Sequence, residues 1–288
     1  MFMYPSSDRI EIGYIGENMS FIGVGLRKEH YPYLRKGEPV RISWFEAITE
    51  NYMDTQGRPL EMLESIRKHF PVALHGVSLS ILGGTFPDKK YLQRWKELIR
   101  RIDPFLVSDH LCWTEQSGNY LHDLLPFPFT KEFLEFAIER AERIQEILGR
   151  RILLENVSTY LSFPQNEMTE WEFISELSKK SGCGILLDIN NIYVNSVNHG
   201  FSPSEYLRSI PWENVGQIHL AGHTDTGEFL FDTHSRPVAK EVWELFSSFS
   251  DKIQGIPILL EWDEDIPGFP EMEEEALKAK SILESVSK

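Results

Sequence analysis

The sequence has few cysteines and few basic residues, and each shortage excludes a class of site or partner. Only Cys112 and Cys183 are present, which is too few for a disulfide framework and lacks the CxxC spacing of a thiolate metal site. Lysine and arginine number 29 against 44 aspartates and glutamates, so the formal net charge is −15. That charge repels a phosphate backbone, so we expect no nucleic-acid partner. Any metal site must use nitrogen and oxygen ligands.

Membrane-spanning and targeting signals are also missing from the sequence. No stretch approaches the roughly 18 consecutive apolar residues of a transmembrane helix. The first residues, MFMYPSSDRIEIGYIGENMS, lack a basic region followed by an apolar run and a small-residue cleavage site. We therefore expect a cytoplasmic protein with no membrane partner.

Short apolar runs rich in Val, Ile, Leu and Phe alternate with longer helical patterns, as in repeated βα units. The eight strand candidates are FIGVGLR from Phe21, ISWFEAI from Ile42, VALHGV from Val72, FLVSDH from Phe105, RILLEN from Arg151, GILLDIN from Gly184, GQIHLAG from Gly216 and PILLEW from Pro257. Helices are predicted around 57–69, 88–101, 130–148, 169–180, 203–209, 236–250 and 271–286. This order predicts an α/β protein with a closed (β/α)8 TIM barrel. No linker divides residues 1–288, so we predict one domain with a barrel core at about 20–280.

The predicted strands end in side chains that ionise or bind metals. Catalytic groups of TIM barrels come from the C-terminal strand ends and the loops that follow, because these converge over one mouth. Here those positions supply Glu46, Glu50, His75, Asp109, His110, Glu155, Asn156, Asp188, Asn190, Asn191, His219, His223, Asp232, His234, Glu261 and Asp263. Burying a carboxylate without a partner costs on the order of several kcal/mol, so such a ring indicates bound cations.

A single histidine at a strand end is more often a hydrogen-bonded residue than a ligand, so the prediction depends on the whole set. His219 and His223 form HxxxH, but the intervening Ala221-Gly222 breaks any helical turn, and the motif alone is weak. Cys112 is more typical of buried packing than of a nucleophile. The histidines outside the set are interpreted as surface or helix residues (His30, His69) and as loop residues (His122, His199).

Eight segments together resemble one bacterial family: HGVSLS, SDHLCW, LLPFPFT, LLENVSTYL, LLDINNIYVNSVNHGF, QIHLAGH, DTHSRPV and LLEWD. The family is the multinuclear non-heme iron-dependent oxidases, similar to the enzyme that makes oxazolone and thioamide groups in methanobactin. The resemblance covers roughly residues 20–280 and implies a xylose-isomerase-like TIM barrel. The motifs are specific for the family and much less specific for the substrate.

The resemblance implies a set of metal ligands. His75, His110 and Glu155 resemble the ligands of one iron. Glu155 then bridges to a second iron, whose other implied ligands are Asp188, His219 and Glu261. Asp232 and His234 resemble the ligands of a third, weaker site. The implied catalytic residues are His110, Glu155 and Asp188, and the residues implied to support them or contact substrate are Asn156, Asn190, Asn191, His223 and Asp263.

The resemblance also implies the chemistry. Two or three iron ions are the expected cofactor, although zinc or manganese also suits imidazole and carboxylate ligands. A mixed-valent Fe(II)/Fe(III) pair would bind a cysteine thiolate of a ribosomally made precursor peptide, activate dioxygen and abstract hydrogen beside the sulfur. No nucleotide or flavin motif is present. No leader-binding domain is recognised, so the expected partner is a separate leader-binding protein.

Two other metal-dependent barrels remain open at this stage. An enzyme resembling endonuclease IV would hold three zinc ions with a similar strand-end order, but that family has a ligand histidine where this chain has Asn191. A sugar isomerase or epimerase of the xylose-isomerase type needs only four ligands around one metal, which would be Glu155, Asp188, His219 and Glu261. The count of metal ions per chain distinguishes these interpretations.

Overall fold

The computed structural model describes residues 21–116 and 119–286. Its strands are β1 (Ile22–Gly25), β2 (Trp44–Ile48), β3 (Val72–Gly76), β4 (Leu106–His110), β5 (Trp113–Gln116), β6 (Asn119–Leu125), β7 (Leu153–Glu155), β8 (Gly184–Asp188), β9 (Val215–Leu220), β10 (Thr224–Asp225), β11 (Leu230–Phe231) and β12 (Ile258–Leu260). Its α-helices are α1 (Tyr31–Arg35), α2 (Glu50–Met53), α3 (Arg58–Arg67), α4 (Lys89–Ile102), α5 (Lys131–Leu148), α6 (Glu170–Ser181), α7 (Ile189–His199), α8 (Pro203–Ser209), α9 (Lys240–Ser248), α10 (Ser250–Ile253) and α11 (Phe269–Val286). Short 3₁₀ helices lie at Lys28–His30 and Trp212–Asn214.

Eight of the strands close into a parallel barrel in the order β1-β2-β3-β4-β7-β8-β9-β12. Each of the eight predicted strand segments overlaps one barrel strand, so the predicted (β/α)8 TIM barrel is confirmed. The register places His110 beside Glu155 on adjacent strands and Asp188 beside His219. Paired residues of neighbouring strands are about 5 Å apart, so the register itself brings these side chains together.

The barrel interior changes from apolar to ionisable along the strands. A buried cluster of inward-facing side chains fills the end where the strands begin: Phe21, Trp44, Ala73, Leu106, Leu153, Leu186 and Leu259. Side chains two residues apart on a strand share a face. Glu155 therefore lies above Leu153, Asp188 above Leu186 and Glu261 above Leu259. The apolar layer supports the layer of ionisable side chains from below.

Capping residues fix the ends of the long helices. Thr130 accepts a hydrogen bond from Phe133 N at 3.2 Å at the start of α5, and Gly149 ends this helix with a φ of 73°. Thr169 forms a capping box at the start of α6, which Gly182 ends. These starts and stops are confirmed, and each of the seven predicted helices overlaps an observed one.

Several elements differ from the sequence prediction, and helices α1, α2 and α7 were not among the predicted helices. Residues Ile189–Asn190, predicted to extend β8, begin α7 instead, because Asp188 Oδ1 accepts a hydrogen bond from Asn191 N at 2.6 Å and caps the helix. Antiparallel hairpins β5–β6 and β10–β11 lie within the connections after β4 and β9. Both connections leave the C-terminal ends of barrel strands, so both hairpins lie at the mouth.

The described residues bear on two further predictions, which concern membrane crossing and the number of domains. Across residues 21–116 and 119–286, no helix combines the length and apolar character needed to cross a bilayer. The prediction of a single domain over residues 1–288 stays a prediction, because residues 1–20, 117–118 and 287–288 lie outside the described residues.

Gly222 lies after β9, where the chain passes close to the backbone of Arg236. A Cβ on Gly222 would overlap the carbonyl oxygen of Arg236, and a backbone group cannot rotate away. We expect Gly222→Ala to lower the free energy of unfolding by about 1–3 kcal/mol. Gly84→Ala is the matched control, because a Cβ there meets nothing within 4 Å. Urea unfolding followed by circular dichroism compares the two, and equal midpoints would show that the close approach is not a constraint.

Candidate metal centre

Glu155, the last residue of β7, lies between two groups of histidines. Its Oε2 is 3.3 Å from His75 Nε2 and 3.5 Å from His110 Nε2. Its Oε1 is 3.5 Å from His219 Nδ1. Glu155 is 1% exposed, and Oε2 accepts no hydrogen bond from any residue that the structure describes. A buried carboxylate oxygen facing two imidazole nitrogens suits a cation between them.

A second group shares Glu155 with three other strand-end residues, namely Asp188, His219 and Glu261. One ligand atom from each lies within 4.8 Å of all the others, and His219 Nδ1 is 3.0 Å from Glu261 Oε2. Asp188 uses Oδ1 to cap α7, whereas Oδ2 accepts no hydrogen bond from the described part of the chain. Three carboxylates and one imidazole at this spacing match the donor chemistry of a hard or borderline divalent cation.

The third group is centred on His234, whose φ of 47° is rare for a residue with a side chain. Its Nδ1 is 3.2 Å from Asp263 Oδ2 and 3.5 Å from Glu261 Oε2. Its Nε2 is 2.7 Å from Asp232 Oδ1. The resemblance implied His234 with Asp232, whereas the group that the structure brings within ligand distance is His234 with Glu261 and Asp263, on the other side of the ring from Asp232. Which carboxylates share an ion with His234 therefore depends on which ring nitrogen binds it.

Burial and mutual contact shift the pKa values of these groups. Burial lowers the pKa of His75 well below its ordinary value, and the neighbouring imidazoles of His110 and His219 lower it further. Burial and the Glu155 charge raise the pKa of Asp188. Burial opposes the protonation of His219, but the carboxylates around it, Glu46 first, raise its pKa well above the ordinary value. A cation bound among these groups would take the place of the protons that the buried carboxylates and imidazoles otherwise hold.

Amide side chains hold the ligands in place from behind. Asn156 Oδ1 accepts a hydrogen bond from Asp188 N at 2.9 Å, and Asn191 Nδ2 donates to Asn156 O at 3.1 Å. Asn190 Nδ2 donates to Asp232 Oδ1 at 2.8 Å, while its Oδ1 is 2.8 Å from His223 Nδ1. These hydrogen bonds place Asn156 and Asn190 against candidate ligands and Asn191 against Asn156, as a supporting role requires.

Three residues of the centre fall outside the predicted site set. The Arg27 guanidinium pairs with Asp263, and its Nη2 is 3.8 Å from Glu261 Oε1. Glu46 Oε1 is 3.1 Å from His219 Nε2, and Gln217 Nε2 donates to Glu46 Oε2 at 2.6 Å. Glu46 was noted as a strand-end residue without a role. Arg27 is neither acidic nor an imidazole, so a list of such side chains at the strand ends leaves it out. Its position as the last residue of the first predicted strand segment is the signal that could have found it.

Two other carboxylates at the mouth, the buried Asp109 and the half-buried Glu50, have a different role. Asp109 accepts hydrogen bonds from Leu79 N at 3.1 Å and His110 N at 2.7 Å. Glu50 accepts from Val77 N at 3.0 Å and from the Tyr91 hydroxyl at 2.6 Å. Both therefore hold the loop after β3 rather than a cation.

The remaining histidines and Cys112 are placed as follows. His30 ends the first 3₁₀ helix, in agreement with its interpretation as a surface or helix residue, and it is 2% exposed, with Nε2 3.0 Å from Pro267 O. His199, which was assigned to a loop, ends α7, and its Nε2 is 2.7 Å from Thr159 Oγ1. Cys112 is free and fully buried, which confirms its packing role. The side chain of His122 lies outside the described residues.

The loop after β7 is fastened on both sides. Asn195 of α7 accepts a hydrogen bond from Thr159 N at 2.7 Å and donates to Val157 O at 2.9 Å. On the other side, Ser158 Oγ donates to Asp232 Oδ2 at 3.1 Å. The loop therefore joins α7 to the third metal-ligand group.

The chain resembles known proteins along most of its length. The model of a family described as "RiPP precursor modification enzyme MbnB/TglH/ChrH" matches residues 21–284. A UPF0276 protein from Anaeromyxobacter sp. (strain Fw109-5) is 48% identical over 261 residues, which cover 90% of this chain and 92% of the relative. A UPF0276 protein from Acaryochloris marina (strain MBIC 11017) is 46% identical and covers 91% and 94%.

Among solved structures, endonuclease IV from Thermus thermophilus superposes with a TM-score of 0.60 at 17% identity, over 91% of this chain and 98% of that one. A D-psicose 3-epimerase crystallised with D-fructose gives a TM-score of 0.59 at 13% identity, over 91% and 98%. At such low identity these likenesses show the xylose-isomerase-like TIM barrel alone.

Glu170, at the start of α6, contacts Asn195, the residue of α7 that holds the loop after β7. Asn195 Nδ2 donates a hydrogen bond to Glu170 Oε2 at 3.4 Å. Desolvation raises the pKa of Glu170 to about 8, although contacts with Asn195 and Tyr206 act in the opposite direction. An unfolded chain loses this proton near pH 4.3, so stability falls as the pH rises from about 4 to about 8. We expect Glu170→Gln to gain stability relative to wild type across this window. Thermal unfolding measured at several pH values, with Glu176→Gln as the control in the same helix, where the carboxylate is partly solvated and pairs with Lys179 and Lys180, tests this. Parallel wild-type and Glu170→Gln curves would contradict it.

Proposed function

Because the chain belongs to the MbnB/TglH/ChrH family of RiPP precursor modification enzymes, we propose that it is a multinuclear iron-dependent oxidase that uses dioxygen to modify cysteine residues of a ribosomally made precursor peptide. The description of this family indicates a precursor peptide as the class of substrate. The observation that carries the metal proposal is Glu155, whose two oxygens face different groups of buried ligand atoms.

We assign two ions to the groups that share Glu155. His75, His110 and Glu155 would hold one, and Glu155 with Asp188, His219 and Glu261 would hold the other. Asp232 and His234 would hold a third, with Asp263 beside it. The buried oxygen atoms Glu155 Oε2 and Asp188 Oδ2, which accept no hydrogen bond from the described residues, support this assignment. Iron suits the mixture of imidazole and carboxylate donors, as manganese and zinc also do.

The residues around the ligands determine which ring nitrogens remain available. Ser108 Oγ is 2.8 Å from His75 Nδ1, which leaves Nε2 of that ring for an ion. Glu46 occupies Nε2 of His219, which leaves Nδ1. Such outer contacts fix the tautomer and orientation of a ligating imidazole. Arg27 offsets part of the negative charge of Glu261 and Asp263.

When bound, the iron ions would supply thiolate coordination and the redox chemistry that dioxygen requires. The chain supplies the enclosure: the ligand layer lies on the apolar floor at the start of the strands, so water reaches it only from the mouth. His110, with a side chain 11% exposed, is more accessible than His75 and Glu155, at 2% and 1%. The His234 side chain is likewise 11% exposed, so a peptide would approach the centre from the mouth, where His110 and His234 are accessible.

The other barrel functions account for fewer of the observed residues. A one-metal isomerase leaves His75 and His110 without a role, although both rings face Glu155 Oε2. An enzyme acting on DNA conflicts with the net charge of −15, and Asn191 places a neutral amide where endonuclease IV has a ligand histidine. We also propose a separate leader-binding protein as partner and the cytoplasm as the location of the reaction.

The proposed metal centre predicts the metal content of the protein. Protein from iron-replete, anaerobically handled cells should contain about two to three transition-metal ions per chain, as this number of ligands requires. Glu155→Ala should lose most of them, because Glu155 contributes to two groups, whereas Asp232→Ala or His234→Ala should lose only the weakest-bound ion. Elemental analysis of the purified variants measures this. Full metal content in Glu155→Ala would refute the bridge.

A second prediction concerns the reaction. Co-expression with small peptides encoded beside this protein should change the mass of a cysteine-containing peptide only when dioxygen is present. His110→Ala is the control, because the barrel is packed by apolar residues below the mouth and should stay folded by circular dichroism while peptide oxidation is lost. If iron-loaded protein leaves every such peptide unchanged, or if His110→Ala works at the wild-type rate, the proposal fails.

A further inference from the structure

Three aromatic side chains form an exposed patch at the mouth, which we call the aromatic platform: Tyr160, Phe229 and Phe231, with the exposed Leu161 next to Tyr160 in the chain. The exposed fractions of the three aromatic residues are 42%, 41% and 44%, and that of Leu161 is 67%. The ring centroids of Tyr160 lie 5.3 Å from Phe231 and 5.8 Å from Phe229, so the rings form one continuous surface. Contiguous exposed apolar patches on soluble proteins mark binding sites more often than chance exposure does.

The hairpin β10–β11 presents this surface in a fixed geometry. Leu230 is buried, whereas Phe229 and Phe231 on either side of it point outward, as strand alternation requires. The turn is held by Thr226, whose Oγ1 donates to Phe229 O at 2.7 Å and accepts from Phe229 N at 3.2 Å. Leu230 N also donates to Asn198 Oδ1 at 2.9 Å. A surface that is already ordered loses little entropy when a ligand binds.

The aromatic platform is continuous with the metal-ligand groups. The Tyr160 hydroxyl accepts a hydrogen bond from Asp232 N at 3.0 Å, and Asp232 Oδ1 is 2.7 Å from His234 Nε2. One residue therefore separates the platform from His234, a distance on the order of 10 Å, which an extended peptide spans with about three residues.

The charge around the platform limits what it can bind. The hairpin carries Asp225 and Glu228, both exposed, and residues 224–231 include no lysine or arginine. An acidic segment would be repelled, whereas a neutral or basic one would not. The platform therefore suits an aromatic or large aliphatic side chain carried on a segment without acidic residues.

We propose that the aromatic platform binds an aromatic or large aliphatic side chain of the peptide substrate, about three residues from the cysteine that enters the metal centre. The proposal rests on the proposed function for the identity of the ligand as a peptide. The proposal assigns the selection of the substrate to the aromatic rings of the platform, which are not candidate metal ligands. A peptide bound at both points would have its reacting cysteine held in one register.

Two labelled decapeptides of a Gly/Ser background test this. Both contain one Cys and one Lys, and three residues before the Cys one has Tyr and the other Ser. Fluorescence anisotropy with metal-loaded protein under anaerobic conditions measures both dissociation constants. We expect wild type to bind the Tyr peptide about ten-fold more tightly. Phe229→Ser and Phe231→Ser should each reduce this preference, and the double variant should abolish it.

Val197→Ser is the matched control, since Val197 is 50% exposed on the neighbouring helix α7 and is not part of the platform. It should keep the ten-fold preference. Circular dichroism and metal content verify that each Phe variant is folded and loaded. A Tyr preference that survives in the folded double variant, or that is absent from wild type, overturns the proposal. A wild-type dimer that the double variant converts to monomer in sedimentation also overturns it, because the platform would then bind a second copy.

A third peptide, with Ser in place of the Cys, separates this proposal from the proposed function. If Cys→Ser does not weaken binding while the Tyr preference still depends on Phe229 and Phe231, the platform proposal is supported and thiolate coordination fails. If Cys→Ser weakens binding but the Phe variants change nothing, thiolate coordination is supported and the platform proposal fails.

Discussion

The structure depends on one electrostatic constraint, which is the burial of several carboxylates in the same end of a narrow barrel. Glu155 and Asp188 are almost fully enclosed, and each keeps an oxygen that accepts no hydrogen bond from the described residues. Buried charges of one sign repel strongly in a medium of low polarisability, so they need cations or shared protons. Arg27 supplies one fixed positive charge. The imidazoles supply variable ones, and metal ions would supply the rest.

Much of this arrangement was predictable, because two simple periodicities set it. The alternation of strand side chains places Glu155 two residues above Leu153 on the same face, and apolar runs reveal where each strand lies. Since all parallel strands of a barrel end at one mouth, knowing the strand ends is enough to gather His75, His110 and Glu155 in one place. The groups that share Glu155 contain the residues that the resemblance implied for the first two ions, whereas the third group joins His234 to Glu261 and Asp263 rather than to Asp232 alone.

The remainder could not be predicted, because it depends on distances between segments far apart in the chain. Asp188 ends a strand and caps a helix with the same carboxylate, so the apolar pattern through Ile189 continued past the true boundary. Arg27 reaches Asp263 across 236 residues of sequence, which no local pattern records. The position of Asp263 beside His234 likewise depends on how two loops meet above the barrel.

Helix α7 links features that are otherwise separate. Asp188 caps it, Asn190 contacts Asp232, Asn195 holds the loop after β7, and Asn198 accepts from Leu230 of the hairpin. The first turn of the helix and the candidate metal centre thus share one carboxylate, the turn through Oδ1 and the centre through Oδ2. Local opening of that turn, visible as amide hydrogen exchange at Asn191, is therefore coupled thermodynamically to the occupancy of the centre. The same helix would transmit that coupling to both the loop and the hairpin, so these three segments would open as one cooperative unit.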